Sequence, residues 1–417
     1  MLLIELNEFS TEFLKESSAD QETPCLDKIL GWNRCKTVTD ADRERHGLDP
    51  WVQWVSIHTG VNSQEHGVAH LAEANKLRHQ QIWDCLNERG VSTTVWGAMN
   101  GRNNHHRLMN TFFPDPWTYS EVASPNALNG FLALPRLYAQ DYIRPSLSKL
   151  FGTGFRTVGY LLWHHLGIVS QNAGRWLRAI AKGGLNNAIL FALFDNVSAK
   201  VFRRIDDKKP ADFKLIFLNS IAHLQHHDWH SDSRTVQIAI GLLEDTLATT
   251  LRTAKAGEPV LVANAFSQVC TEDRDEFLYR PINPPGMIEA LQIRHSRVEP
   301  MMTNDGHILF DDSASCEEAF AFLTAVTVGG AKAFDVHRRA DTQLFYQFAI
   351  WDELPEHSRI EAGDLSLRFY DFFEKVVRRT GSHTPIGDVF YSDFELPSQI
   401  YNHELFHHIK GSYVSGT

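Results

Sequence analysis

Short, mainly apolar runs alternate with longer stretches of helical periodicity along most of the chain. Leu2 to Leu6, Thr93 to Trp96, Lys214 to Leu218 and Val260 to Ala263 are each too short for a helix and each end in a polar cluster, which predicts buried strands. Strands separated by helical segments predict an α/β fold, a mostly parallel sheet with helices on both faces. Ligands of such sheets collect beyond the carboxyl ends of the strands. The residues there are Asn7 and Glu8, then Asn219, Ser220, His223 and His226, then Asn264, Ser267 and Gln268. Packing demands none of these polar residues.

Two other regions break the rhythm. Residues 142–204 carry nine Lys and Arg, Arg144 the first of them, against one acid, Asp195, among Phe, Trp, Leu and Ile. This predicts a helical insertion spanning 126–204 between core segments 1–125 and 205–417. It is either a cap with a basic face that makes peripheral contact with anionic lipid, or a subdomain with a solvated basic face. Between 280 and 350, runs around Gly306 to Phe310 and Gln343 to Ile350 predict a β-hairpin or an extension of the sheet edge.

Composition narrows the function classes. A chain of 417 residues, 43% hydrophobic and 22% charged, can bury a large core. Its net charge of −11 argues against general nucleic-acid binding. The five cysteines are scattered, without a C-x-x-C pair, which fits a reducing compartment. The apolar MLLIELNEF start lacks the basic lead-in and cleavage site of a signal peptide, and no apolar run is long enough to span a bilayer. The expected location is the cytoplasm, with a peripheral membrane contact through 142–204 as the one addition.

The densest chemical signal is Leu48 to Gly67, LDPWVQWVSIHTGVNSQEHG. Asp49-Pro50 stands where a helix begins, Asp at the N-cap and Pro at the first position, with Trp51, Trp54, Val55 and His58 at helical spacing behind it. A helix N-terminus favours phosphate or sulfate. The run, closing in Thr59-Gly60 and followed by His66-Gly67, resembles the nucleophile helix of the alkaline phosphatase superfamily, above all its phosphodiesterase/nucleotide pyrophosphatase and sulfatase branches. The family's nucleophile position falls on Pro50, which has no nucleophilic atom.

The resemblance extends in order along most of the chain. It implies an alkaline-phosphatase-like sheet, and it sets Asn7 where the family has a metal-binding Asp, with Glu5 and Glu8 beside it. After the third strand it aligns either Ala222 and His226, or Asn219 and His223, with the family's Asp and His. Asn264 to Ser267 stand in place of the S-D-H-G metal ligands, and His383, between Gly381 and Gly387, takes the place of the final His. The implied activity is hydrolysis or transfer at a phosphate or sulfate ester of a small-molecule or glycan-linked anionic substrate. The alternative is a catalytically silent relative that binds an anionic or glycan ligand.

A complete two-metal site needs more ligands than this alignment supplies. Three arrangements stay open: one divalent ion, zinc or manganese, held by Glu5 or Glu8 with His226 and His383; a metal-free enzyme; or the silent binder. Asp49 is a nucleophile or base at the helix mouth, or simply a cap. Glu8 is a second catalytic carboxylate. Asn7, Arg102, His105, Asn264 and Ser267 are candidate substrate contacts, Arg102 and His105 in the WGAMNGRNNHHR loop after the second strand.

Overall fold

Leu2–Leu6 (β1) is buried along its whole length and lies inside an eight-stranded sheet. The computed structural model describes residues 1–40, 48–140, 146–230, 232–271, 276–301 and 304–413. The other strands of this sheet are Asn33–Val38 (β2), Thr93–Trp96 (β3), Met109–Phe113 (β4), Phe213–Leu218 (β5), Val260–Ala263 (β6), Ile386–Ser392 and Gln399–Tyr401. Their order is Gln399–Tyr401, β2, Ile386–Ser392, β6, β1, β5, β3, β4. β1 pairs in parallel with β5 and β6, and β3 with β4 and β5, whereas Ile386–Ser392 runs antiparallel between β2 and β6. The fold is therefore α/β with a mainly parallel sheet, as the alternation of the sequence predicts.

Strand residues divide by parity. Leu2, Ile4, Leu6, Ile216, Leu218 and Val262 join one core with the helices Thr11–Ser18, Asn187–Asp206 and Arg234–Leu251. On the opposite face Phe217 meets Trp54 edge-on at 5.9 Å, so the helix Pro50–Thr59 covers that side. Asp49 is its N-cap, Pro50 its first residue, and Gly60 ends it in the left-handed conformation at φ 74°. Gly67 closes the short helix Ser63–His66 in the same way at φ 69°.

The chain divides into two compact units. The first comprises Met1–Pro135, Phe151–Thr271 and Thr380–Thr417, and it contains the eight-stranded sheet. The second comprises Arg136–Leu150 and Glu272–Arg379. In it, Phe334–Ala340, Gln343–Phe348, Asp305–Leu309 and Arg297–Pro300 form an antiparallel sheet, with its own core around Phe334, Tyr346 and Phe348. Of the two arrangements expected for these runs, a β-hairpin or an extension of the sheet edge, the structure shows antiparallel pairing with each other in a sheet of their own. Helices Asn129–Gln140, Leu147–Gly183 and Asn187–Asp206 take up most of the described residues between 129 and 206. Arg144 lies outside the described residues.

The lone acid of that region has a structural task. Asp195 Oδ2 accepts the N–H groups of Asn219 and Ser220 at 2.9 and 2.8 Å, anchoring the turn after β5. Burial pushes its carboxyl up to about 7, against the opposing pull of hydrogen bonds from Ser220 and Asn219. The folded state therefore holds the Asp195 proton more tightly than the unfolded state does. That contribution is complete below the ordinary value of 3.8 and is lost as pH rises through about 7. Asp195→Asn keeps an acceptor for both N–H groups and cannot ionise. Its melting temperature, measured by calorimetry, is expected to rise relative to the parent between about pH 5 and about pH 8. A difference that stays flat over that range would contradict the assignment.

Candidate metal centre

Where β1 runs out, the chain turns sharply. Asn7 N–H donates to the Leu218 carbonyl at 2.9 Å, the last rung with β5, and Glu8 follows at φ 53°. A left-handed backbone is uncommon for a residue with a side chain. Three side chains hold it. Gln225, on the helix Ser220–His227, donates Nε2–H to the Glu8 carbonyl at 2.9 Å and accepts the Ser10 N–H at 2.8 Å. Asn264 Nδ2 and Ser267 Oγ both donate to the Phe9 carbonyl, at 2.6 and 2.8 Å.

Held in this way, the buried Glu8 carboxylate faces two histidines. His226 comes from the last turn of Ser220–His227. His383 comes from the strand Gly381–Thr384, which pairs antiparallel with Ser267–Cys270 (β7) and sets His383 directly opposite Gln268. Glu8 Oε2 lies 3.1 Å from Nε2 of each histidine and accepts Gln268 Nε2–H at 2.5 Å. Asn7 Nδ2 donates to Glu8 Oε1 at 3.1 Å. Burial alone would raise the Glu8 carboxyl, but His383 and His226 hold it well below the usual carboxylate range.

The remaining ring nitrogens fix the tautomers. His226 Nδ1 is 3.1 Å from the Gly381 carbonyl, and His383 Nδ1 is 2.8 Å from the Leu48 carbonyl. A carbonyl oxygen only accepts, so each Nδ1 carries its proton, and in the neutral ring Nε2 presents a lone pair. Gln268 Nε2 lies 3.0 Å from His226 Nε2 and can donate to that lone pair, whereas His383 Nε2 is buried without a hydrogen-bond partner among the described residues. Its lone pair and the Glu8 carboxylate oxygen repel unless a proton or a metal cation sits between them. The three ligand atoms lie within 4.8 Å of one another. One carboxylate and two imidazoles braced through their far nitrogens suit a catalytic metal site with open positions.

Glycine makes the arrangement possible. A Cβ on Gly381 would stand 2.6 Å from the Gln225 carbonyl oxygen, and one on Gly387 2.6 Å from Thr37 Oγ1. Close backbone approach is what the glycines flanking His383 imply in the sequence.

Glu5 is not brought to the cluster. It shares a face of β1 with Asn7, and that face meets the helix Pro50–Thr59, where Trp54 and His58 are one turn apart. Trp54 Nε1–H donates to Asn7 Oδ1 at 2.8 Å, and His58 Nε2 lies 2.6 Å from Glu5 Oε1, both residues fully buried. Asn7 Nδ2 also donates to Asn219 Oδ1 at 2.8 Å. His223 stacks on Phe191 with ring centroids 3.5 Å apart, and burial pulls its pKa well down. After β5 it is His226 that meets Glu8, and the Ala222 carbonyl accepts Gln268 Nε2–H at 3.2 Å.

The expected substrate contacts are largely employed elsewhere. Asn264 and Ser267 hold the Phe9 carbonyl. Arg102 Nη1 donates to the Leu77 carbonyl at 2.7 Å, and His105 is exposed at φ 55°. Asp49 makes no side-chain cap bond, and it directly follows the Leu48 carbonyl that takes the His383 proton. Two glutamines complete the site without having been assigned to it from the sequence. Gln268 falls just after a predicted strand, which is a signal. Gln225 lies inside a helix and carries none.

No protein-family model matches the chain, and no curated protein matches it. Among solved structures it is similar to phosphonoacetate hydrolase from Sinorhizobium meliloti 1021 in complex with phosphonoformate, at 11% identity and TM-score 0.47, covering 98% of this chain and 94% of that one. It is also similar to murine ectonucleotide pyrophosphatase/phosphodiesterase 5, at 11% identity and TM-score 0.45, covering 99% and 95%. Alkaline phosphatase from the Antarctic bacterium TAB5 is similar at 11% identity and TM-score 0.43, covering 100% and 98%.

Gln225→Ala removes both glutamine bonds to the Glu8–Ser10 turn and leaves the buried Ser10 N–H without its acceptor. It is expected to cost roughly 1–3 kcal/mol in urea unfolding. Gly381→Ala drives a methyl into the Gln225 carbonyl and is expected to destabilise by a similar or larger amount. An unchanged unfolding midpoint in both would show that the turn does not depend on this contact.

Proposed function

We propose that Glu8, His226 and His383 hold one divalent cation, zinc or manganese, and that the site hydrolyses or transfers a phosphate or sulfate ester. The observation that carries this reading is the pair of Nδ1–H groups committed to the Gly381 and Leu48 carbonyls, which turns both Nε2 atoms toward Glu8 Oε2. Such a cation, when bound, would lower the pKa of a coordinated water and stabilise charge on an ester oxygen.

The chain's own residues do the rest. Gln268 donates to the same carboxylate oxygen and keeps Glu8 oriented. The N-terminal pole of the helix Pro50–Thr59 begins next to Leu48 and favours an anionic group. Asp49, at that mouth, is our candidate nucleophile or proton acceptor. Attack makes one bond from oxygen to phosphorus or sulfur while the ester oxygen leaves and takes up a proton.

The uncharged network of Asn7, Asn219 and Trp54 favours a second reading for the neighbouring position, where the family resemblance implies a charged ligand. Asn7 is satisfied there by Asn219 and Trp54 without a charged group, although Asn219 Nδ2 finds no partner among the described residues. This supports a single-ion site, and the same network suits a silent relative that binds an anion without turning it over.

Metal content, measured by inductively coupled plasma mass spectrometry on protein purified without chelator, separates these readings. Near-stoichiometric zinc or manganese is expected, falling by about tenfold or more in His226→Ala and in His383→Ala. Turnover of aryl phosphate, phosphodiester or sulfate esters is expected to fall with it and to drop in Asp49→Asn with metal retained. Bound metal without turnover of any ester would select the silent binder. Absence of metal in the parent protein would overturn the proposal.

A further inference from the structure

The helix Leu147–Gly183 contains five Lys and Arg and no Asp or Glu, in a chain whose net charge is −11. Its inner side is docked. Thr157 Oγ1 donates to the Gly130 carbonyl at 3.0 Å, Tyr160 lies 6.1 Å from the Phe131 ring, and His165 is buried. That docking leaves Phe151, Phe155, Val158 and Leu162 facing outward, at successive spacings of four, three and four residues along one stripe, which ends before the kink at His165. Phe151 is 74% exposed and Phe155 80%, while Trp163, at the border of the stripe, is 86% exposed.

A stripe of large apolar side chains held away from the core is unusual on a soluble surface and marks a contact site. Its chemistry distinguishes the occupants. Arg156 and Lys182 are exposed and have no acidic partner among the described residues. An aromatic and aliphatic stripe, a Trp at its border and basic groups without acids are the composition of a helix that lies in a bilayer interface. No helix among the described residues is long and apolar enough to cross a membrane.

We propose that the outer face of this helix docks on an anionic phospholipid bilayer. Phe151, Phe155, Leu162 and Trp163 reach into the boundary between headgroups and acyl chains, and Arg156, beside Phe155, meets lipid phosphates. The inference is independent of the metal centre.

The test is sedimentation of the full-length protein with sucrose-loaded vesicles at low salt. One set is phosphatidylcholine alone, and the other includes about 30% phosphatidylglycerol. Pelleting with the anionic vesicles is expected. Phe155→Ser and Leu162→Ser together, both at exposed positions, are expected to reduce partitioning by about tenfold or more, with circular dichroism unchanged. Arg156→Glu is expected to weaken binding to anionic vesicles by about fivefold or more, with a much smaller effect on phosphatidylcholine. Protein that stays in the supernatant with both vesicles, or variants that pellet like the parent, would overturn the proposal. A dimer in solution that dissociates in the double variant, without vesicle binding, would assign the stripe to a second copy of the chain and overturn it equally.

Discussion

The candidate site rests on one backbone turn. At the end of β1 the chain has satisfied its last sheet bond through Asn7, and Glu8 then adopts a left-handed conformation at φ 53°. Such a conformation costs on the order of 1–3 kcal/mol and persists where its surroundings over-determine it. Here the surroundings do so from two directions. Gln225 ties the Glu8 carbonyl to the helix after β5, and Asn264 with Ser267 ties the Phe9 carbonyl to the segment after β6. The strands beside β1 in the sheet therefore supply the groups that fix the residue following it. Their joint grip aims the Glu8 carboxylate at His226 and His383 rather than onto the face of Leu6, where strand alternation would carry it.

This changes the meaning of the polar residues beyond the strand ends. Asn264 and Ser267 stand at positions where a ligand contact is a reasonable expectation, but they serve the backbone of the turn. The chemistry has moved one step outward, to Gln268 and to its cross-strand partner His383. Because the two are register partners, a shift of that short pairing would pull the imidazole and the amide from Glu8 together. The small residues Gly381 and Gly387 allow these strands to approach Gln225 and Thr37 closely enough for the register to hold.

Most of the central sheet is legible in the sequence, because buried parallel strands are continuous apolar runs. β1, β3 and β6 have the expected limits, and β5 begins one residue earlier than expected. Strands of mixed composition are not legible. Asn33–Val38 is largely polar, and Ile386–Ser392 contains Gly and Asp because it threads antiparallel past side chains that must be close. The hairpin runs between 280 and 350 announce strands but not the sheet they join, since pairing partners are a tertiary property. The same limit applies to the site. Glu8, His226 and His383 are visible through their positions after strands or between glycines. Gln225 sits inside a helix and meets its partner across 217 positions of sequence, which no local pattern records.

Charge connects the two halves of the functional reading. With each Nδ1–H committed to a carbonyl and both rings neutral, the cluster carries the single negative charge of Glu8, and the chain around it is net acidic. A phosphate or sulfate ester would be repelled from such a cluster, and the pole of the helix Pro50–Thr59 offers only a fraction of a unit charge in compensation. A divalent cation reverses the sign. On the proposed one-cation reading, anion binding and cation binding would therefore be coupled, and reciprocally: whatever factor the metal added to ester affinity, the ester would add to metal affinity. Protonating both imidazoles supplies the same positive charge without a metal. In that state neither Nε2 presents the lone pair that its carbonyl-bound Nδ1–H otherwise preserves. With neutral rings, the fixed tautomers and an anionic ligand would be compatible through a bound cation.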